Sequence, residues 1–158
     1  MTVTTDKNIL QVVEALGRFD VDTQLALLWF GYLDLKEGLN PANAPASQDI
    51  AEAFYHSIEA LPHDQQLQAQ RDIAGRVDNE ISRSYGALSP SAKMDVWLRL
   101  AQGMEDGRII GMPADYKLPS ETDQFVAQVK QLDFENRVSF ARAAAAQMGS
   151  HPQQGAPV

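Results

Sequence analysis

Residues 20–35 run DVDTQLALLWFGYLDL. Asp20 carries the short acceptor side chain of a helix N-cap, and the segment after it is apolar over most of a helical circumference. A helix without a broad polar stripe is covered on most sides, so 21–35 reads as a central helix with others packed round it. Leu25, Trp29 and Tyr32 share one of its faces. Gly31 sits in its interior, where glycine costs roughly 1 kcal/mol against alanine.

Helical signals continue on both sides. Upstream, residues 8–19 place Ile9, Leu10, Val12, Val13 and Leu16 at helical spacing. Downstream, GLNPANAP at 38–45 is a loop broken by two prolines. Ser47 reads as the next N-cap, with Ile50, Ala53, Phe54, Ser57 and Ile58 along one face. Pro62 suits the first turn of a helix that runs through Ile73 and Val77 to Tyr85. Ser89-Pro90 opens another, carrying Met94, Trp97, Leu98, Ala101 and Met104, and Gly107 ends it. Residues 108–119 read as an irregular connector. Ser120 with Asp123 resembles a capping box that opens a helix over 122–132. Asp133 caps a last helix through Met148, closed by Gly149. No segment alternates apolar and polar residues between turn signals, and no fixed-period repeat is present. The expected fold is all-α: a bundle, or two small bundles sharing helices. The organisation expected is a helical domain over 1–149 and a short polar, breaker-rich, flexible tail over 150–158.

Composition excludes several classes. The chain has 158 residues, enough for one domain with a real core. It has 0 Cys, so disulfide frameworks, thiol catalysis and zinc knuckles are out. A net charge of -8, from 21 acidic and 13 basic residues, argues against nucleic acid as a partner. The polar N-terminus does not read as a signal peptide, and nowhere do about 18 apolar residues run together as a membrane span requires. A soluble, cytoplasmic protein is expected. There is no phosphate loop, nucleophile elbow or zinc-protease helix. His56, His63 and His151 read as surface residues. Asp72, Asp78 and Glu80, beside Arg71, Arg76 and Arg83, read as solvated salt bridges rather than catalytic acids. Nothing calls for an enzyme or a metal.

What asks for explanation is bulky aromatic residues and small ones on the same helices. Trp97, Ala101 and Met104 share a face near Gly103, as Leu25, Trp29 and Tyr32 do near Gly31. Gly75 reads as a third glycine inside a helix. An extended apolar ligand pressed against the backbone, stacked on Trp and Tyr and cushioned by Met sulfur, explains this. An ordinary helix-packing seam explains it too, and aromatic stripes are more often plain core.

A resemblance bears on that choice. Thr23-Gln24-Leu25-Ala26-Leu27-Leu28-Trp29-Phe30-Gly31-Tyr32-Leu33 resembles a signature of the N-terminal domain of the orange carotenoid protein. Tyr85-Gly86-Ala87-Leu88-Ser89-Pro90, then Trp97-Leu98-Arg99-Leu100-Ala101-Gln102-Gly103-Met104, is similar to a second block of that family. Gly107, Ile109, Met112-Pro113 and Tyr116-Lys117-Leu118 continue it, and Val138-Ser139-Phe140-Ala141-Arg142 matches in the last helix. The blocks keep their order from about Phe19 to Gly149. The resemblance implies two interlocked helical bundles with a carotenoid tunnel between them. It also implies a helical carotenoid protein, the single-domain relative of a two-domain pigment protein found in cyanobacteria.

Carried over position by position, the resemblance puts Leu25, Leu28, Trp29 and Tyr32 on one wall, and Met94, Trp97, Leu98, Ala101 and Met104 on another. Leu67, Met112, Tyr116 and Val138 complete the tunnel, with Tyr32 and Trp97 near one terminal ring of the pigment. The implied ligand is a keto-carotenoid such as canthaxanthin or echinenone. The implied function is photoprotection by quenching singlet oxygen, or phycobilisome excitation as well. A carotenoid carrier and a pigment-free helical adaptor are the alternatives. Leu98 stands where an aromatic is common and Ala101 where glycine is common. Ser91 replaces an asparagine that contacts the second domain in two-domain relatives. Arg142 is retained, either as an inherited surface residue or as a contact to the phycobilisome, at the cytoplasmic face of thylakoid membranes. A homodimer closing over an apolar rim is the other partner left open.

Overall fold

Short polar side chains set the helix starts. Asp20 accepts the Thr23 amide at 2.8 Å, Ser89 accepts that of Ala92 at 3.2 Å, and Asp133 accepts that of Asn136 at 2.9 Å. Gly107 ends its helix in the left-handed region, with φ at 88°. The computed structural model describes residues 7–38, 45–113 and 115–150. Within them run α1 (Lys7–Gly17), α2 (Val21–Leu35), α3 (Pro45–Glu59), α4 (His63–Ala74), α5 (Glu80–Gly86), α6 (Pro90–Asp106), α7 (Asp123–Gln131) and α8 (Phe134–Gln147). Among the described residues there is no strand.

Local expectations fail in four places. The single helix expected from Pro62 to Tyr85 is two, α4 and α5, and Pro62 is the N-cap rather than part of the first turn. The break follows Ala74. The Val77 amide donates to Asp72 O at 2.9 Å and the Arg76 amide to Ile73 O at 3.2 Å, with Arg76 left-handed at φ 58°. This is a Schellman closure with arginine where glycine is usual. Gly75, expected inside the helix, is its C-cap. Asn79 then caps α5 by accepting the Ser82 amide at 3.0 Å. Second, the buried face of α3 is Ala51, Tyr55 and Ile58 with Phe54 beside it. Ile50 is 53% exposed, and Ala53 and Ser57 face water. The helix also begins at Pro45, ahead of Ser47. Third, Ser120 forms no capping box. It opens a 3₁₀ turn, and the Thr122 hydroxyl donates back to Pro119 O at 2.7 Å. Fourth, Ser150, the first residue of the expected tail, is still held, its amide donating to Ser82 O at 3.1 Å. Most of the expected 38–45 loop, and the tail from 151 onward, lie outside the described residues.

Two cores form. One joins α3, α4, α5 and α6 through Tyr55, Ile58, Ile73, Tyr85, Val96 and Leu100. The other joins α1, α2, α7 and α8 through Ile9, Val13, Leu16, Leu27, Phe125 and Phe140. The second bundle thus combines helices that precede the first in the sequence with helices that follow it. They interlock at the end of α8: Met148 enters the first core, and the Gly149 amide donates to Ile73 O at 2.8 Å. Leu28 packs against both cores, which makes α2 the helix between bundles. Its Leu25, Leu28, Trp29 and Tyr32 are only half-buried. Their free side faces a cavity.

Candidate functional site

The cavity between the bundles has a volume of about 360 Å³. From α2 it is lined between Asp22 and Leu35, about 20 Å of helix at 1.5 Å rise per residue. Leu67 of α4 and Met94, Trp97, Leu98, Ala101 and Met104 of α6 face Leu25, Leu28, Trp29 and Tyr32 across it, and Met112 and Tyr116 of the connector close one side. The structure therefore gathers every residue of the expected tunnel except Val138. That residue is half-buried elsewhere on α8. The lining face of α8 is Arg137, Ala141 and Ala145, spaced by four, and Val138 lies about 100° round the helix from Arg137. Ile110, Gly111, Pro113, Val129 and Phe140 also line the cavity without having been expected. The first three lie in a connector without periodicity, so no pattern pointed to them.

The aromatic wall residues are held by ring stacking, by hydrogen bonds, or by both. Trp29 and Tyr32 stack on one another at 5.9 Å between centroids, and Tyr116 stacks on Phe30 at 6.5 Å. The Tyr32 hydroxyl donates to Glu105 at 2.8 Å, and Lys36 donates to the same carboxylate at 2.6 Å. Those two hydrogen bonds hold Glu105 below the usual carboxylate range, while burial and then Glu105 push the Tyr32 phenol up to about 12. Trp97 instead turns its indole N–H to the Tyr85 hydroxyl at 2.9 Å. Tyr85 is fully buried, and that burial pushes its phenol up, so it stays a donor, to Ala145 O at 2.6 Å.

The glycines separate the two readings of the aromatic seam. A Cβ on Gly103 would lie 2.6 Å from Ile109 Cγ1 and 2.5 Å from the Tyr55 hydroxyl, so that glycine serves helix packing. A Cβ on Gly31 would meet nothing within 4 Å, and Gly31 lines the cavity. No protein atom requires glycine there, and the backbone of α2 is left open to the cavity at that point. Charged groups at the wall, such as Asp22 and its partner Arg71 at 2.7 Å, are substantially exposed and belong to the rim. The site fits a long apolar ligand with room for close approach at Gly31.

His56 is exposed and pairs with Glu59 at 3.0 Å. Of the acid–base pairs expected on α4 and α5, Arg83 meets Asp78 at 2.6 Å, while Arg71 reaches across to Asp22 instead. Arg142 is exposed on α8, outside the cavity lining.

Comparison with known proteins gives one consistent picture. The family model described as "Orange carotenoid protein, N-terminal" matches residues 2–151. An orange carotenoid-binding domain-containing protein of Nostoc sp. is 31% identical, over 95% of this chain and 88% of its own. The orange carotenoid-binding protein of Synechocystis sp. is 33% identical, and the chain spans only 44% of its length. Among solved structures, the Red Carotenoid Protein of Anabaena (Nostoc) sp. binding canthaxanthin superposes with a TM-score of 0.78 at 41% identity, covering 90% of this chain and 99% of that one. The same protein binding a mixture of carotenoids gives 0.82 at 39% identity, over 92% and 100% of the two chains.

Proposed function

The chain belongs to the family of the orange carotenoid protein N-terminal domain, and we propose that it binds one carotenoid, a keto-carotenoid such as canthaxanthin, in the cavity between its bundles. The observation that carries this reading is Gly31, a helix-interior glycine with open space above it, flanked by Trp29 and Tyr32 on the same wall. When bound, a carotenoid supplies a conjugated polyene that takes up excitation energy and releases it as heat. The role proposed is photoprotection by quenching singlet oxygen.

The chain's own residues do the holding. Leu25, Leu28, Leu67 and Met104 exclude water along the channel, where burial gains about 0.8 kcal/mol per CH₂ before ordering costs. Trp29, Tyr32 and Trp97 offer flat faces, each good stack adding about 0.5–1.5 kcal/mol. Arg142, exposed on α8, is the candidate contact to a light-harvesting antenna such as the phycobilisome.

The test is expression in a host that makes canthaxanthin. A pigmented monomeric or dimeric protein with a visible absorption band, which shortens singlet-oxygen phosphorescence from a photosensitiser in the dark-adapted state, supports the proposal. A folded, helical but colourless product refutes it and leaves a pigment-free helical adaptor.

A further inference from the structure

We propose that Tyr85 is a positioning residue for the cavity: its hydroxyl fixes the indole of Trp97 in the wall and ties that wall to the end of α8. The consequence for pigment rests on the carotenoid reading above; the tether itself does not.

One hydroxyl joins three helices. Trp97 of α6 donates its indole N–H to Tyr85 of α5 at 2.9 Å, and Tyr85 donates onward to Ala145 O of α8 at 2.6 Å. The phenol has one hydrogen, and it goes to the carbonyl, so what the indole meets is an oxygen lone pair. The direction of the chain is therefore fixed. Trp97 has a single donor, and engaging it in the protein leaves only hydrocarbon surface for the cavity, which that residue lines.

The Tyr85 ring is itself immobile. It is 0% exposed, Phe54 meets it edge-on at 6.0 Å, and Lys93 Nζ stands 5.6 Å from its centroid. The buried Lys93 in turn donates to Ala146 O at 3.1 Å. Gly149 presses on the other side, where a Cβ would come within 2.6 Å of Tyr85 Cδ1. A ring clamped this way stays in place when the hydroxyl is removed, so Tyr85→Phe isolates the hydrogen bonds. Ala145 also lines the cavity, so the relay links two wall residues from opposite bundles.

The experiment uses the full chain, ¹⁵N-labelled and pigment-free, with its 2 tryptophans giving two indole N–H signals that Trp97→Phe assigns. In Tyr85→Phe the Trp97 signal shifts and its exchange with water speeds up by about tenfold, while that of Trp29 stays put. In the canthaxanthin-loaded protein the same variant loses pigment about three- to tenfold more readily and changes the visible circular dichroism. Trp97→Phe, which keeps a ring but no donor, reproduces that loss, and the double variant is no worse than either single one. A Trp97 signal unmoved in Tyr85→Phe overturns the proposal. If Tyr85→Phe does not fold, Trp97→Phe decides it: unchanged pigment retention and dichroism overturn it. Wild-type protein that takes up no pigment refutes the carotenoid reading, and the N–H signal still judges the tether.

Discussion

The rings of Trp29 and Tyr32 lie 5.9 Å apart with their planes 26° from parallel. Three residues apart on α2, they form one flat strip along the cavity, and Gly31 between them keeps the backbone bare beside it. The strip is fixed from outside by the exposed Lys36–Glu105 pair, whereas Trp97 opposite is fixed from inside by Tyr85. The predictions below follow from that asymmetry and from the cavity it borders.

Gly31 and Gly103 should respond oppositely to alanine. Gly31→Ala adds a methyl where no atom stands within 4 Å, so the pigment-free protein gains roughly 0.5–1 kcal/mol of helix stability. The same methyl enters the channel and lowers canthaxanthin uptake. Gly103→Ala drives a Cβ into Ile109 and Tyr55 and destabilises by about 1–3 kcal/mol. Urea melts of the pigment-free variants, with pigment-to-protein absorbance ratios, check both.

Pigment should stabilise the fold. Binding to the native state alone adds about 2.7 kcal/mol at about 100 Kd of free ligand. For a chain of this length that is about 5–10 °C in melting temperature, at about 2–4 °C per kcal/mol. Scanning calorimetry of pigmented and pigment-free protein gives the difference, and coincident melts contradict a ligand in the cavity.

Trp29→Ala and Trp97→Ala should each lower pigment retention far more than Arg142→Ala, which alters an exposed side chain outside the lining. Truncating a fully buried tryptophan costs roughly 3–5 kcal/mol of stability, and these two are half-buried, so a smaller cost is expected and pigment content is compared only in variants with wild-type far-ultraviolet circular dichroism. A folded Trp29/Trp97 double variant with full pigment places the ligand elsewhere.

Glu105→Gln should weaken the hold on Tyr32 in a pH-dependent way. The folded-state pKa of Glu105 is depressed, so its contribution is present above the ordinary glutamate value of 4.5 and is lost as pH falls through the lower folded value. The variant should therefore melt slightly below wild type near neutral pH, and the gap should close on acidification below 4.5. The group is exposed, so the effect is small and shrinks in high salt. Paired melting curves from pH 7 to pH 3 measure it.

The helix ends were legible wherever one side chain does the capping locally: Asp20, Ser89, Asp133 and Gly107 sit where they were expected. They were misjudged where the deciding contact is not in the pattern. Apolar periodicity runs on past Ala74, but the chain closes a Schellman turn with Arg76 as the left-handed residue, and no glycine marks that position. On α3 the choice between Ile50 and Ala51 as the inward residue turned on how it packs against α6, not on hydrophobicity.

By itself the sequence determined the all-helical class, the central place of α2 and, through ordered motif blocks, the family and the tryptophans, tyrosines and methionines that line the cavity. Those follow from local capping, periodicity and residue identity, which act over a few positions. Only the tertiary structure decided what each small or aromatic residue faces. Gly31 and Gly103 look alike in sequence, yet one opens onto empty space and the other is pressed by Ile109, because neighbours remote in the chain fill one space and not the other. Val138 gives way to Ala141 for the same reason: the rotation of α8 is set by Phe140 and Ala144 entering one core while Met148, just past its end, enters the other.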